Sequence, residues 1–125
     1  MNVMKNLILT TITALALIGC TSSLGYEKEP LTERDKEVHD TILKLKLKDY
    51  SRAQFLGSPQ VAANPKGGRI ICGVVNAPNS FGGFNGYQAY AVQYVPSNPK
   101  IQIFYAGRSA LIDCRGAGIE LTITA

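Results

Sequence analysis

The stretch Arg69-Ile70-Ile71-Cys72-Gly73-Val74-Val75-Asn76-Ala77 decides the fold class of this chain. Its apolar residues occupy both alternating sets of positions, as in a β-strand, where successive side chains point to opposite faces of the sheet. The two sets are Ile70, Cys72 and Val74 on one face, and Ile71 and Val75 on the other. This is the strongest strand signal in the sequence, and the turn cluster Asn64–Gly68 precedes it.

Weaker strand signals lie on both sides of this stretch. Before it, residues Gln54–Ala62 predict a strand that Gly57 and Pro59 interrupt. The later segments that predict strands are Tyr87–Val95, with Tyr90, Val92 and Tyr94 on one face, then Ile101–Tyr105, Ala110–Cys114 and Ile119–Thr124. The connections between them are predicted at Pro96–Pro99, at Ala106–Ser109, which is typical of a hairpin, and at Gly116–Gly118.

One helix is predicted before the strands, over Glu33–Lys48. Thr32 is a suitable N-cap, and acidic residues follow in the first turn, where negative charge suits the helix dipole. The apolar residues at helical spacing are Leu31, Val38, Ile42 and Leu45. The alternation in Leu43–Lys48 also fits a strand, but no turn signal interrupts the segment before Tyr50. The pattern predicts an α+β fold, with one N-terminal helix packed on an antiparallel sheet of about four to five short strands.

The N-terminal segment ends in Leu17-Ile18-Gly19-Cys20, which resembles the lipobox of bacterial lipoproteins. The apolar run Leu7–Ile18 fits a signal-peptide core of about 7–15 residues and is shorter than the roughly 18 residues that span a bilayer. Leu17 is too large for an ordinary signal-peptide cleavage site. The resemblance implies cleavage before Cys20 and acylation of Cys20. Secretion as a soluble protein is the alternative.

This interpretation predicts the domain organisation and the location. We expect a lipoprotein signal peptide at residues 1–19, the acylated cysteine and a polar tether at residues 20–30, and a single small α+β domain at residues 31–125. The acyl anchor would make membrane lipid a partner at the periplasmic face of the cell envelope. Thr21 stands where inner-membrane lipoproteins carry Asp, which favours the outer membrane.

Two cysteines, Cys72 and Cys114, remain once Cys20 is assigned to lipid. Outside the cytosol, two thiols in a small domain usually form a disulfide. Such a bridge would close a loop of about forty residues and contribute about 4 kcal/mol to stability. Two free buried cysteines are the alternative. No metal or other cofactor is expected, because two thiols and the distant His39 do not make a ligand set.

The charge is unevenly distributed along the chain, whose formal net charge is +4. Residues 20–43 hold three cations and six anions, whereas residues 44–115 hold nine cations and two anions. A basic surface suits nucleic acid, anionic lipid or polyanionic cell-wall material, and nucleic acid is the least available of these at the envelope. Because the cations form no dense block, we favour the interpretation that they keep the domain soluble.

The segment Cys72–Tyr87 reads Cys-Gly-Val-Val-Asn-Ala-Pro-Asn-Ser-Phe-Gly-Gly-Phe-Asn-Gly-Tyr and resembles a set of small, uncharacterised exported bacterial proteins. Their shared core is Cys-Gly-x-Val-Asn-Ala-x-Asn-Ser-aromatic-Gly-Gly-aromatic-x-Gly. A Leu-Lys-Asp run and a Ser-x-Ala-x-Phe run precede it, which here lie in Leu47–Phe55. Val74 and Pro78 depart from the pattern, since a charged residue is more usual at both positions. The resemblance covers Leu47–Val95 and implies no known activity.

A glycine-rich loop with three aromatic residues lies at the centre of this resemblance. Its glycines tolerate positive φ, Asn85-Gly86 predicts a type I′ turn, and asparagine side chains can hold the loop by bonding its backbone. The candidate binding residues are Asn76, Asn79, Phe81, Phe84 and Tyr87. One interpretation is a recognition loop for a glycan, a peptide or a protein surface. The favoured one is an ordered connection whose aromatics cap the sheet, because small domains need aromatic residues for their cores.

No catalytic arrangement stands out in the sequence. His39 is the only histidine and is expected to be solvated, and Gly107–Leu111 lacks the last glycine of a nucleophile elbow. We therefore expect a lipid-anchored envelope protein that is a binding or structural module and not an enzyme, with an envelope protein or a cell-wall glycan as its partner. One alternative is an inhibitor or exclusion factor against a hydrolase or a phage. Another is a cell-wall enzyme that uses His39 or Asp113.

Overall fold

The computed structural model of this protein describes residues 25–123. The predicted signal peptide, Cys20 and residues 21–24 of the predicted tether lie outside this range. The described residues form a six-stranded antiparallel sheet and two α-helices, so the predicted α+β class is confirmed. In chain order the elements are β1 Glu27–Glu29, α1 Glu33–Lys46, β2 Gln54–Phe55, β3 Gln60–Ala63, β4 Arg69–Asn76, β5 Gln88–Val95, β6 Asn98–Ala106 and α2 Arg108–Gly116.

Strand β4 lies at the centre of the sheet, whose strand order is β1-β3-β4-β5-β6. Strands β2 and β3 lie end to end beside β4, because β2 pairs with its last residues and β3 with its first residues. Gly57, with φ +73°, and Pro59 separate them, at the interruption predicted from the sequence. Strands β5 and β6 complete the sheet on the other side of β4.

The two helices cover opposite faces of the sheet. Val38, Ile42 and Leu43 of α1 pack against the face that carries Ile71 and Val75 of β4, and Tyr90, Val92 and Tyr94 of β5 join this cluster. On the other face, Ala110 and Cys114 of α2 pack against Ile70 and Cys72, together with Ala89 and Ala91. The side chains of β4 and β5 thus alternate between the two faces as predicted, and the sheet separates two apolar cores.

Helix α1 begins and ends close to its predicted bounds. Thr32 caps it, because its Oγ1 accepts a hydrogen bond from the Asp35 amide at 3.1 Å while the Asp35 carboxylate accepts one from the Thr32 amide at 2.8 Å. The predicted apolar stripe is wrong at Leu45, which is 76% exposed. The helix ends at Lys46, and Leu47 of the extended chain that follows packs against the core instead.

Helix α2 replaces the hairpin and the strand predicted over Ala106–Cys114. Gly107, at φ +93°, turns the chain out of β6, and the buried residues Ala110, Cys114 and Ala117 follow at helical spacing. Because these three residues are two alanines and a cysteine, their helical spacing is a weaker hydrophobic signal than the adjacent Leu111-Ile112 pair, which suggested a strand. The described part of the last predicted strand, residues 119–123, packs its alternate apolar side chains on this core but joins no ladder there.

Part of the predicted tether belongs to the sheet. Glu27–Glu29 pair with β3, with Glu27 opposite Ala63 and Glu29 opposite Val61. The folded chain therefore begins before Leu31, the predicted start of the domain. Within residues 25–123, no helix has both the length and the apolar character needed to cross a membrane.

A buried ionic network joins α1 to the sheet at the start of β4. The fully buried Asp35 carboxylate accepts two hydrogen bonds from the Arg69 guanidinium, each at 2.8 Å, and another from the Tyr94 hydroxyl. Thr32 donates to the same carboxylate from its amide and from Oγ1, both at 2.8 Å. Arg69 also forms an ion pair with Glu29 of β1. The network therefore ties β1, α1, β4 and β5 together.

The network keeps Asp35 ionised. Burial raises the pKa of this carboxyl, but the hydrogen bonds from Arg69, Tyr94 and Thr32 outweigh burial and hold the pKa well below its ordinary value. Burial and the bond to Asp35 raise the pKa of Tyr94 to about 12, so its hydroxyl remains a donor at neutral pH. Each partner thus keeps the protonation state that its hydrogen bonds require.

A disulfide joins Cys72 of β4 to Cys114 of α2, as predicted, with the two Cα atoms 6.0 Å apart. It lies in the core on the α2 face, opposite the ionic network. Each helix is therefore fixed to the central strand by its own cross-link, ionic on the α1 face and covalent on the α2 face.

We expect Asp35→Asn to lower the free energy of unfolding by about 3 kcal/mol, because the mostly buried Arg69 guanidinium loses its buried counter-charge and keeps only the partly exposed Glu29. Urea denaturation at pH 7 measures this loss. Arg69→Met, alone and together with Asp35→Asn, completes a double-mutant cycle. The double variant is expected to be more stable than the sum of the two single losses predicts. Strict additivity would show that the pair is not coupled.

Replacement of both Cys72 and Cys114 by Ala is expected to lower the free energy of unfolding by about 4 kcal/mol, because the unfolded chain regains the entropy that the closed loop removes. Thermal and urea denaturation of the oxidised protein and the double variant measure this. Reduction of the unmodified protein is the control and is expected to give a similar loss. An unchanged unfolding midpoint in both would contradict a stabilising bridge.

Candidate functional site

The loop between β4 and β5 contains a turn of the same kind as the one that connects β3 to β4. The two turns are Asn64–Gly68 and Asn79–Gly83, and both read Asn-x-x-Gly-Gly. In each, the Asn amide donates to the carbonyl of the fifth residue, at 2.9 and 2.7 Å, and the amide of the fourth donates to the Asn carbonyl, at 3.1 and 3.0 Å. The fourth residue is a glycine at φ +90° in one turn and +82° in the other.

The asparagine side chain completes both turns in the same way. The Oδ1 atom of Asn64 accepts hydrogen bonds from the amides of the third and fifth residues, at 3.0 and 2.9 Å. The Oδ1 atom of Asn79 accepts the corresponding bonds at 2.9 and 3.2 Å. The prediction that Asn79 holds the loop is confirmed, because its side chain accepts hydrogen bonds from two backbone amides of the turn. Sequence reasoning missed this repeated pattern, although both copies are visible in the chain.

The third position is where the two turns differ in side-chain chemistry. It is Lys66 in the first turn and Phe81 in the second. The Phe81 side chain is 97% exposed and takes no part in either core. The prediction that the loop aromatics cap the sheet is therefore wrong for Phe81. Among the candidate binding residues, Phe81 is the one that the fold presents most fully to solvent.

The other aromatic residues of the loop are partly covered. Phe84 is 39% exposed, and the guanidinium of Arg52 lies over its ring at 5.3 Å. Arg52 also donates to the Gly82 carbonyl at 3.4 Å, so it supports the turn from outside the loop. Tyr87 is half-buried beside the start of β5. No sequence signal links Arg52 to the loop, because Arg52 lies 30 residues before Gly82.

Asparagines also hold the base of the loop. The Oδ1 atom of Asn76 accepts a hydrogen bond from the Gly86 amide at 3.2 Å, which confirms its predicted role. The predicted type I′ turn at Asn85-Gly86 is wrong, because this turn needs positive φ at both residues and only Gly86 has it, at +101°. Asn85 instead accepts a hydrogen bond from the Asn79 side chain at 3.0 Å.

A groove of about 370 Å³ lies between the base of the loop and the end of α1. Its lining combines two lysines, several amide side chains, two aromatic rings and small apolar residues. These residues are Lys46, Leu47, Lys48, Ala77, Pro78, Asn79, Asn85, Gly86, Tyr87, Gln88, Phe104 and Ala106. The groove thus brings together Asn79 and Tyr87 of the predicted set with cations and amides that sequence analysis did not single out.

His39 is buried, so the prediction that it is solvated is wrong. Its Nε2 lies 2.6 Å from the Tyr90 hydroxyl and its Nδ1 lies 2.9 Å from the Asp40 carboxylate. Burial, with smaller contributions from the charges of Tyr50 and Asp40, raises the pKa of Tyr90. A Cβ at Gly73 would lie 2.4 Å from the Tyr90 hydroxyl, so the close approach of this ring requires a glycine in β4.

Asp113, the other candidate catalytic residue, lies on the opposite face of the sheet from His39. It accepts a hydrogen bond from the Tyr105 hydroxyl at 2.6 Å, and Gln93 donates to the same hydroxyl at 2.6 Å. Burial and the bond to Asp113 raise the pKa of Tyr105. The structure therefore does not bring His39 and Asp113 together into one site.

The described part of the chain contains no group of three or more His, Cys, Asp or Glu side chains placed to hold a metal ion. Comparisons with models of known protein families, with curated proteins and with solved structures gave no match. The candidate site is therefore defined by its residues: the Asn79–Gly83 turn with Phe81 at its tip, and the groove beside it.

We expect Asn79→Ala to speed hydrogen exchange at the Phe81 and Gly83 amides by about fivefold, because each loses an acceptor worth about 1 kcal/mol. Amide exchange followed by NMR measures this. Asn64→Ala is the matched control and is expected to affect the Lys66 and Gly68 amides instead. Equal effects of both variants on both turns would contradict local control by each asparagine.

Proposed function

We propose that this protein is a lipid-anchored binding module of the bacterial cell envelope. In this proposal the acylated Cys20 holds the chain at the periplasmic face of the outer membrane, and the partner is an envelope protein or a cell-wall glycan. The observation that carries the proposal is the 97% exposed ring of Phe81 at the tip of a hydrogen-bonded turn.

A rigid turn with an aromatic tip is well suited to binding. The backbone bonds of the turn, the two side-chain bonds of Asn79 and the contact from Arg52 order the turn before any partner arrives. Less conformational freedom is then lost on association. The Phe81 ring gains its hydrophobic stabilisation only when another surface covers it, and aromatic side chains are enriched in protein interfaces.

The same turn favours one second candidate function, an inhibitor or exclusion factor. A protruding aromatic residue on a preorganised turn can enter the cleft of an incoming hydrolase and block it. Inhibition of a cell-wall hydrolase by the purified protein, lost in Phe81→Ala and kept in Lys66→Ala, would favour this candidate over a module that serves adhesion or structure.

The lipid anchor predicts that cells expressing the full chain incorporate labelled palmitate into it, and that Cys20→Ala abolishes the label because no thiol remains at the cleavage site. The measurement is fluorography of the immunoprecipitated protein. Cys72→Ala with Cys114→Ala is the control and is expected to keep the label. Palmitate incorporation into Cys20→Ala equal to that of the unmodified chain would contradict the anchor.

The binding role predicts that a benzophenone amino acid at position 81 crosslinks to a discrete partner in living cells. The same probe at position 66 is the matched control, because it sits at the same place in a turn of the same geometry. We expect the position-81 adduct to be several times more abundant. Equal adducts at the two positions, or none at position 81, would contradict a binding role for this turn.

A further inference from the structure

The two Asn-x-x-Gly-Gly turns lie at opposite ends of the central strand. The Asn64–Gly68 turn leads into β4, and the Asn79–Gly83 turn follows it. The chain enters the described domain at the first of these ends, because Gly25 lines a cavity with Asn64 and Pro65 and because Glu27 pairs with Ala63. The N-terminal entry and Phe81 are therefore separated by the length of the sheet.

This separation limits how the domain can face a membrane. The eight residues of β4 are joined by seven peptide steps and span about 24 Å. The chain from Cys20 to Gly25 has five peptide steps and reaches at most about 18 Å when fully extended. The proposed function holds that Cys20 is acylated. The tether is then too short for β4 to stand perpendicular to the bilayer with Phe81 inserted in the same bilayer. Upright, the domain presents Phe81 away from the lipid.

The groove lies at the same end as Phe81. Helix α1 starts beside Arg69, where Asp35 is bound, and its last residue, Lys46, lines the groove next to Asn79. Lys46 and Lys48 supply cations, Asn85 and Gln88 supply amide donors and acceptors, and Tyr87 supplies a ring. The end of the domain away from the anchor therefore offers charge, amide and aromatic groups together.

We infer that this end of the domain binds peptidoglycan, the cell-wall polymer on the side away from the bilayer. Its peptide stems carry free carboxylates for Lys46 and Lys48, and its acetamido groups match the Asn85 and Gln88 amides. Tyr87 and Phe81 offer apolar ring surfaces on which a sugar or a peptide side chain can pack. The inference rests on the proposed anchor and names the ligand of the proposed binding end.

The test is co-sedimentation of the detergent-solubilised full chain with purified sacculi. The double variant Lys46→Gln with Lys48→Gln and the variant Phe81→Ala are each expected to lower the association constant at low salt at least fivefold, which is about 1 kcal/mol. Lys66→Gln with Lys100→Gln removes the same charge outside the groove and is expected to bind as the unmodified chain does. Raised salt is expected to weaken sacculus binding more for the unmodified protein than for the Lys46→Gln, Lys48→Gln variant.

Absence of sedimentation with sacculi, or equal losses in both lysine pairs, would overturn the inference. A protein adduct at position 81 without sacculus binding would overturn it as well, yet would leave the binding role intact. The orientation has its own readout, energy transfer from a fluorophore at position 66 or 81 to acceptor lipids in proteoliposomes. Transfer is expected to be stronger from position 66, and equal or reversed transfer would overturn the upright arrangement.

Discussion

Asp35 and Arg69 form a buried ion pair that fixes where four elements of this domain meet. A buried carboxylate is tolerated only when its acceptor positions are filled, and here Arg69, Tyr94 and Thr32 fill them. Because Arg69 also binds Glu29, the pair sets the start of α1 beside the edge strand β1. The direction of α1 then follows, and its far end lies beside the loop after β4.

The α2 face is held by different means. Cys72 and Cys114 link β4 to α2 with their Cα atoms 6.0 Å apart, and most of the buried residues around them are alanines. The sheet is thus fixed from both sides at the same strand. A hydrogen-bonded pair ties each helix to the strand beneath it: the buried His39 and Tyr90 on the α1 face, and the half-buried Asp113 and Tyr105 on the α2 face.

The sequence predicted those features of the fold that depend on residues close together in the chain or on its composition. The alternation in β4 and β5, the cap at Thr32, the break at Gly57 and the Cys72–Cys114 pair all have short-range or compositional signals. The Asp35–Arg69 pair and the burial of His39 have none, since their partners lie 34 and 51 residues away. Helix α2 was missed because Leu111 and Ile112 suggested a strand. The role of Asn79 in its loop was predicted, whereas the second copy of its turn at Asn64–Gly68 was missed, although both copies are visible in the sequence.

The domain is thus a rigid spacer, with one turn near the N-terminal entry and the other turn, which carries Phe81, at the far end of β4. Pulsed electron paramagnetic resonance between spin labels at positions 66 and 81 of the full chain tests this most directly. We expect one narrow distance distribution centred at about 30 Å, the length of β4 with a turn at each end. A broad distribution, or one centred below about 20 Å, would contradict it.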